Sequence, residues 1–194
     1  MNPITHLFIG WSVASIDPSL DDRERTMITL SAVVSDVDGL GLVPEILTRN
    51  TPHAVFWYSD YHHVLTHNLL SAVIASIVVA VVSRHRWRAA LLALVAYHTH
   101  LIGDLVGSRG PDGYLWPVPY LPRWTWAWDG AWALNAWQNV VITFVAMLIA
   151  FFVALKRGVS PVRIVSKRAD DAFVATLRRR FPRGASPPAA TSAG

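Results

Sequence analysis

The chain has 194 residues, 53% of them hydrophobic and only 15% charged, against roughly 25% charged in an average soluble domain. A mean hydropathy of +0.34 and the lack of cysteine exclude a disordered chain, a coiled coil, a disulfide framework and a thiolate metal site. The net charge is +4, but nine of the 17 Lys and Arg lie beyond residue 155, so no nucleic-acid partner is expected.

A helix needs about 20 apolar residues to cross the ~30 Å hydrocarbon core of a bilayer. In chain order, Ile4 to Ile16 and Thr26 to about Val37 are apolar but short, which predicts tilted or partly inserted helices. Asn68 to Ser83 follows, closed by Arg84, Arg86 and Arg88. Trp87 to about Val106 is apolar except for His98, His100 and Asp104. Ala131 to Leu155 carries no charge and ends at Lys156-Arg157. The reading is an all-α integral membrane bundle of four to five helices, with a membrane-embedded domain over 1–157.

Six of the nine Trp fall between Leu115 and Trp137, the composition of an aromatic belt where lipid meets water. The stretch 107–113 reads as a turn, whose Arg109 faces either headgroups or a substrate phosphate. From Pro161 to Phe181 apolar residues recur every three or four positions among basic ones. That pattern predicts a basic amphipathic cytoplasmic helix over 158–183, either resting on anionic lipid or solvated. Residues 184–194 read as a disordered tail. The N-terminus lacks a basic lead and a small-residue cleavage site, so it is not expected to be a signal peptide.

Lys and Arg favour cytoplasmic loops. Five spans with the tail inside put fourteen Lys and Arg on the cytoplasmic side and three (Arg49, Arg109, Arg123) outside. The predicted topology is therefore a multi-pass cell-membrane protein, N-terminus outside and C-terminus cytoplasmic. Seven of eight histidines then collect toward the outer end, all but His85.

Ionisable groups at membrane depth are costly and by default mark a functional site. His6 lies near the start of the first segment, Asp36 and Asp38 close the second, His62, His63 and His67 lead into the third, and His100 and Asp104 end the fourth. His with carboxylate and no Cys is a ligand set for divalent metals, Zn²⁺ first among them. His100 and Asp104 are i,i+4 and share one helix face. His63 and His67 have the same spacing, whereas His62 and His67 converge only if His62 lies in the loop before the helix. His98 points away from His100.

The blocks THLFIG, SDVDGL, HHVLTH, THLIGD and YLWP, in that order, resemble the YdjM-type membrane-bound metal-dependent hydrolases over about residues 1 to 120 and a closing hydrophobic helix. The resemblance implies metal ligation by His6, Asp36, Asp38, His62, His67, His100 and Asp104. Ser35, Gly39, His63, Val64 and Asn68 depart from the family pattern, with His63 standing where an Arg is usual. A fainter similarity, in ligand order and helical character, is to zinc-dependent phospholipase C and P1-type nucleases.

The function expected is hydrolysis, with metal-activated water attacking a phosphoester at the outer membrane–water interface. Asp36, Asp38 and His63 are candidate catalytic groups, Asp36 or Asp38 serving as ligand, base or ligand-orienting carboxylate. Membrane lipid is the expected partner and a lipid-linked phosphoester the favoured substrate. A metal or proton transporter, or a non-catalytic protein stapled by metal, are the alternatives; HExxH, P-loop, GxSxG and GxGxxG motifs are absent from the sequence.

Overall fold

A computed structural model describes residues 1–110 and 113–182. The tail read as disordered, 184–194, and two residues of the 107–113 turn lie outside the described residues. The chain forms two compact units, Met1–Ala150 and Phe151–Gly194.

Helix α1 (Pro3–Ala14) begins with Pro3, whose missing N–H costs nothing there, and with the Asn2 side chain accepting from Thr5 N. Helix α2 (Asp22–Ser31) opens with a capping box between Asp21 and Glu24. A 3-10 helix (Val34–Gly41) and α3 (Leu42–Thr48) follow, bent by 51° from α2. A short α4 (Trp57–Tyr61) leads to α5 (Leu69–Val82), capped by Asn68, and a tight turn connects α5 to α6 (Arg86–Gly107).

Among the described residues, two helices are long and apolar enough to cross a bilayer: α6, and α7 (Trp137–Arg157), or three if the bent pair counts as one span. At 1.5 Å per residue α5 covers only about 21 Å and α1 about 18 Å, short of the ~30 Å core. The all-α membrane bundle thus holds, with shorter members than the hydropathy pattern alone implies. The second predicted segment is not one helix, because α2 stops at Ser31 and the chain turns. The last begins at Trp137, not Ala131. Part of the Trp-rich run folds as a hairpin of β1 (Val118–Leu121) and β2 (Trp124–Trp126), which the sequence reading did not anticipate. Tyr120 stacks on Trp126 at 4.1 Å between ring centroids.

Small residues let the helices approach closely. A Cβ on Gly10 of α1 would sit 2.6 Å from Ala32 Cβ at the end of α2. Ala89, Ala93 and Ala96 of α6 are fully buried in one cluster with Ala14, Ile28 and Val79. At the turn end of the α5–α6 hairpin, buried Glu24 accepts from the backbone N of His85 at 2.7 Å and from its Nδ1 at 3.0 Å. That clamp ties the start of α2 to the hairpin, so the end of α2, the start of α5 and the second half of α6 meet at the opposite end.

In the second unit the predicted amphipathic segment is a 3-10 helix (Pro161–Ile164) followed by α8 (Lys167–Arg180). Fully buried Asp170 holds it together, accepting from Ser160 Oγ at 2.5 Å and from Arg163 Nε at 2.8 Å. Arg178 donates to the carbonyl of Leu155, satisfying an end carbonyl of α7.

Candidate metal centre

Each ligand position follows from local structure. On α6 the i,i+4 pair His100 and Asp104 faces inward and is buried. His100 Nδ1 donates to the carbonyl of Ala32, the C-cap of α2, at 2.8 Å. With the proton on Nδ1, the lone pair of Nε2 points the other way. His67, fully buried before α5, turns its Nδ1 to Asp38 Oδ2 at 3.4 Å, so its Nε2 is also directed inward.

Those two Nε2 atoms stand 3.2 Å apart. Asp104 Oδ2 lies 2.9 Å from one and 3.3 Å from the other, and Asp36 Oδ1 lies 3.5 and 3.9 Å away. One ligand atom from each of Asp36, His67, His100 and Asp104 falls within 4.8 Å of all the others. Asp36 Oδ2 and Asp104 Oδ2 are buried without a hydrogen-bond partner. Two imidazoles and two carboxylates thus converge in a buried space, where the carboxylates call for positive charge, from a protonated imidazole or from a metal ion. The group can hold a metal ion.

The remaining predicted residues surround this group. Asp38 is two positions from Asp36 on a 3-10 helix, where positions i and i+2 lie about 240° apart, so the two carboxylates face different ways. Asp38 accepts from His62 Nδ1 at 2.8 Å, from Thr66 Oγ1 at 2.8 Å and from His67. It orients His67 and stands outside the four-ligand group, as does His62, whose ring is tied to Asp38. His6 is adjacent: its Nε2 is 3.2 Å from Asp104 Oδ1, its ring centroid 3.7 Å from that of His100, and its Nδ1 is buried without a partner. Gly103 makes room for it, since a Cβ there would lie 3.0 Å from His6 Cε1.

His63 adopts a left-handed backbone with φ of 68°, unusual for a residue with a side chain. The His63 ring lies parallel to that of His67 at 4.2 Å. The helix spacing that favours His63 over the family-pattern residue His62 does not apply, because α5 starts only at Leu69. Burial and the neighbouring His67 push His63 down to about 3, so it is neutral at physiological pH and brings no positive charge to replace the Arg. Burial also disfavours charge on His67, yet the hydrogen bonds and charges of Asp104 and Asp38 outweigh it and push that ring up to about 9. The carboxylates therefore recruit positive charge into the group.

His98 lies elsewhere, as its helix phase predicts: Nδ1 donates to the carbonyl of Leu94 at 2.7 Å, and Nε2 accepts from Tyr120 OH at 2.9 Å. Arg109 donates to the carbonyl of Asp129, which fixes it in the connection beyond α6. Asp36 is the exposed member of the four, with 18% of its side chain accessible. It opens onto a cavity of about 310 Å³ whose walls include Tyr58, His62, His63 and Trp116. Sequence reasoning missed Thr66, Tyr58, Trp116 and the Ala32 carbonyl; Thr66 lies inside the HHVLTH block, whereas a backbone carbonyl leaves no mark in a sequence.

Among known proteins, no curated protein and no solved structure matches. A family model described as YdjM inner membrane protein matches residues 1–163, a range that takes in every residue of the His/Asp group and its surroundings, and the chain belongs to that family.

Proposed function

We propose that the chain is a membrane-bound metal-dependent hydrolase that cleaves a phosphoester at the non-cytoplasmic membrane–water interface. The observation that carries this reading is the set of four inward-facing acceptors, two imidazole Nε2 and two carboxylate oxygens, within 4.8 Å of one another. Two neutral imidazoles and two carboxylates balance a divalent charge, and with no sulfur present Zn²⁺ suits the donor set. When bound, such an ion polarises a phosphoryl oxygen and lowers the pKa of water toward about 7.

The chain's own residues supply the rest. The Ala32 carbonyl and Asp38 hold His100 and His67 in the tautomer that presents Nε2. Asp36, at the mouth of the cavity, is placed to accept a proton from water entering there. Tyr58, Trp116 and the neutral His63 give the cavity apolar and aromatic walls that restrict water beside the group.

The outward orientation is supported by the Lys/Arg asymmetry and by the turn after α5, where Arg84, Arg86 and Arg88 lie at the end of the hairpin opposite His67 and His100. A transporter is less well supported, because Ala75–Val82 and Ala89–Val95 carry no ionisable side chain. The test is metal analysis of the detergent-purified protein, followed by turnover of a phosphoester panel by the metal-loaded form. A stoichiometric divalent ion with turnover abolished by Asp36→Asn is expected. A tightly bound ion with no turnover on any phosphoester would leave a metal staple and remove the enzyme.

A further inference from the structure

A second cavity, of about 430 Å³, runs as an apolar groove between α2 and α5. Met27, Leu30 and Val34 form one wall, and Ile74, Ala75 and Val78 the other. The rim residues Leu30, Val34, Ile74 and Val78 are 41 to 52% exposed, so the groove is open along its length. Its few hydroxyls are already satisfied. Ser31 Oγ donates to the Met27 carbonyl at 3.0 Å, Ser71 Oγ to the Leu65 carbonyl at 3.4 Å, Thr66 Oγ1 to Asp38 Oδ2 at 2.8 Å, and Tyr97 OH to the Thr66 carbonyl. The groove therefore offers an occupant no free hydroxyl proton and an otherwise apolar lining, which selects for hydrocarbon.

One end of the groove abuts the metal group through the chain itself. Thr66 precedes His67, Val34 lies two residues before Asp36, Tyr97 lies one turn before His100, and Ser31 precedes the Ala32 carbonyl that holds His100. From Ser71 to Val79 the α5 wall runs away from that end for about 12 Å at 1.5 Å per residue. An amphiphile whose tail lies along this wall brings its polar end to the depth of the ligands.

We infer that the groove between α2 and α5 holds one hydrocarbon chain of an amphiphilic phosphoester taken from the bilayer, with the phosphate directed to the Asp36–His67–His100–Asp104 group. This substrate class rests on the hydrolase reading; occupancy of the groove by a lipid chain does not. In the reaction, water adds to phosphorus, the P–O bond to the alcohol breaks, and a proton from that water ends on the departing alcohol oxygen.

The experiment has two arms. In the first, protein reconstituted in phosphatidylethanolamine–phosphatidylglycerol vesicles is irradiated with a hexadecyl phosphate bearing a diazirine midway along its chain. Adducts are expected to concentrate at least fivefold on the peptides carrying Met27 and Ile74 over those of α7. Ala75→Trp should cut that yield about tenfold with metal content unchanged, while Val81→Trp, on the exposed face of α5, should not. Leu30→Trp fills the same groove from the other wall and serves if Ala75→Trp does not fold. Adducts spread evenly over α5, α6 and α7, or insensitive to both fillings, would overturn the groove as a chain site. Capture of a second copy of the protein by a photoreactive residue at position 75 would also overturn it.

The second arm compares hexadecyl and ethyl 4-nitrophenyl phosphate diesters. A tenfold or greater preference for the long chain, lost in Ala75→Trp with the ethyl ester unaffected, is expected; equal turnover of both would overturn the substrate assignment. Absence of turnover alongside groove-specific adducts would sink the hydrolase reading and keep the lipid site.

Discussion

The Nε2 atoms of His67 and His100 face each other 3.2 Å apart, each turned inward because its Nδ1 is bonded outward, to Asp38 in one case and to the Ala32 carbonyl in the other. Asp36 and Asp104 add two carboxylates to the same spot. The outer hydrogen bonds thus fix an arrangement that a cation completes.

Metal binding to this group would therefore contribute to the protein's folding free energy. The ligands come from three separate stretches of chain, around residues 36, 67 and 100–104. An ion at about 1,000 times its Kd stabilises by about 4 kcal/mol, which for a chain of this size corresponds to roughly 10 °C in Tm. Chelation should lower the Tm by that order, and re-addition should restore it. An unchanged melting curve on chelation would count against the site.

His67→Ala and Asp104→Asn should each lose most of the bound metal, because each removes one of four ligand atoms. His98→Ala should keep it, losing only the Tyr120 hydrogen bond, about 1 kcal/mol of stability. Metal content by mass spectrometry, beside a Tm for each variant, separates these outcomes; equal metal loss in His98→Ala would mean that the phase of α6 is wrong.

Asp38→Asn tests orientation rather than ligation. The substitution removes the charge that fixes His67 Nδ1–H while leaving all four ligand atoms in place. Affinity should fall about 10- to 100-fold, the usual effect of losing such an outer partner, without loss of the fold. A loss as complete as that of His67→Ala would make Asp38 a direct ligand.

Affinity for the ion should also depend on pH in a definite direction. His67, pushed up to about 9, carries a proton below that pH that an incoming ion must displace. Binding is therefore weakest in acid, strengthens by up to about tenfold per pH unit through neutrality, and levels off above pH 9. Competition against a chelator of known affinity between pH 6 and 9.5 measures this; a flat profile would contradict it.

Sidedness is open to a direct test because the chain has no cysteine. A cysteine replacing exposed Asp60 should react with a membrane-impermeant reagent in intact cells, whereas one replacing Arg84 should react only after the membrane is opened. The reverse pattern would put the His/Asp group on the cytoplasmic side.

Hydropathy alone determined the long apolar helices α6 and α7, because membrane-spanning length and apolarity are local properties. Residue spacing determined that His100 and Asp104 face one group and that His98 does not, since i,i+4 and i,i+2 separations fix direction within one helix. Tertiary structure decided the rest. Asp36 and Asp38 look equivalent in sequence, and only the 3-10 turn sends one toward His100 and the other to His62 and His67. His62 and His63 could not be told apart by helix spacing because 62–68 is not helical and His63 has a left-handed backbone. The Ala32 carbonyl that sets the His100 tautomer is a main-chain atom 68 residues away, brought there by the packing of α2 against α6. Side-chain periodicity encodes which face of a helix is apolar; it does not encode which main-chain group that face will meet.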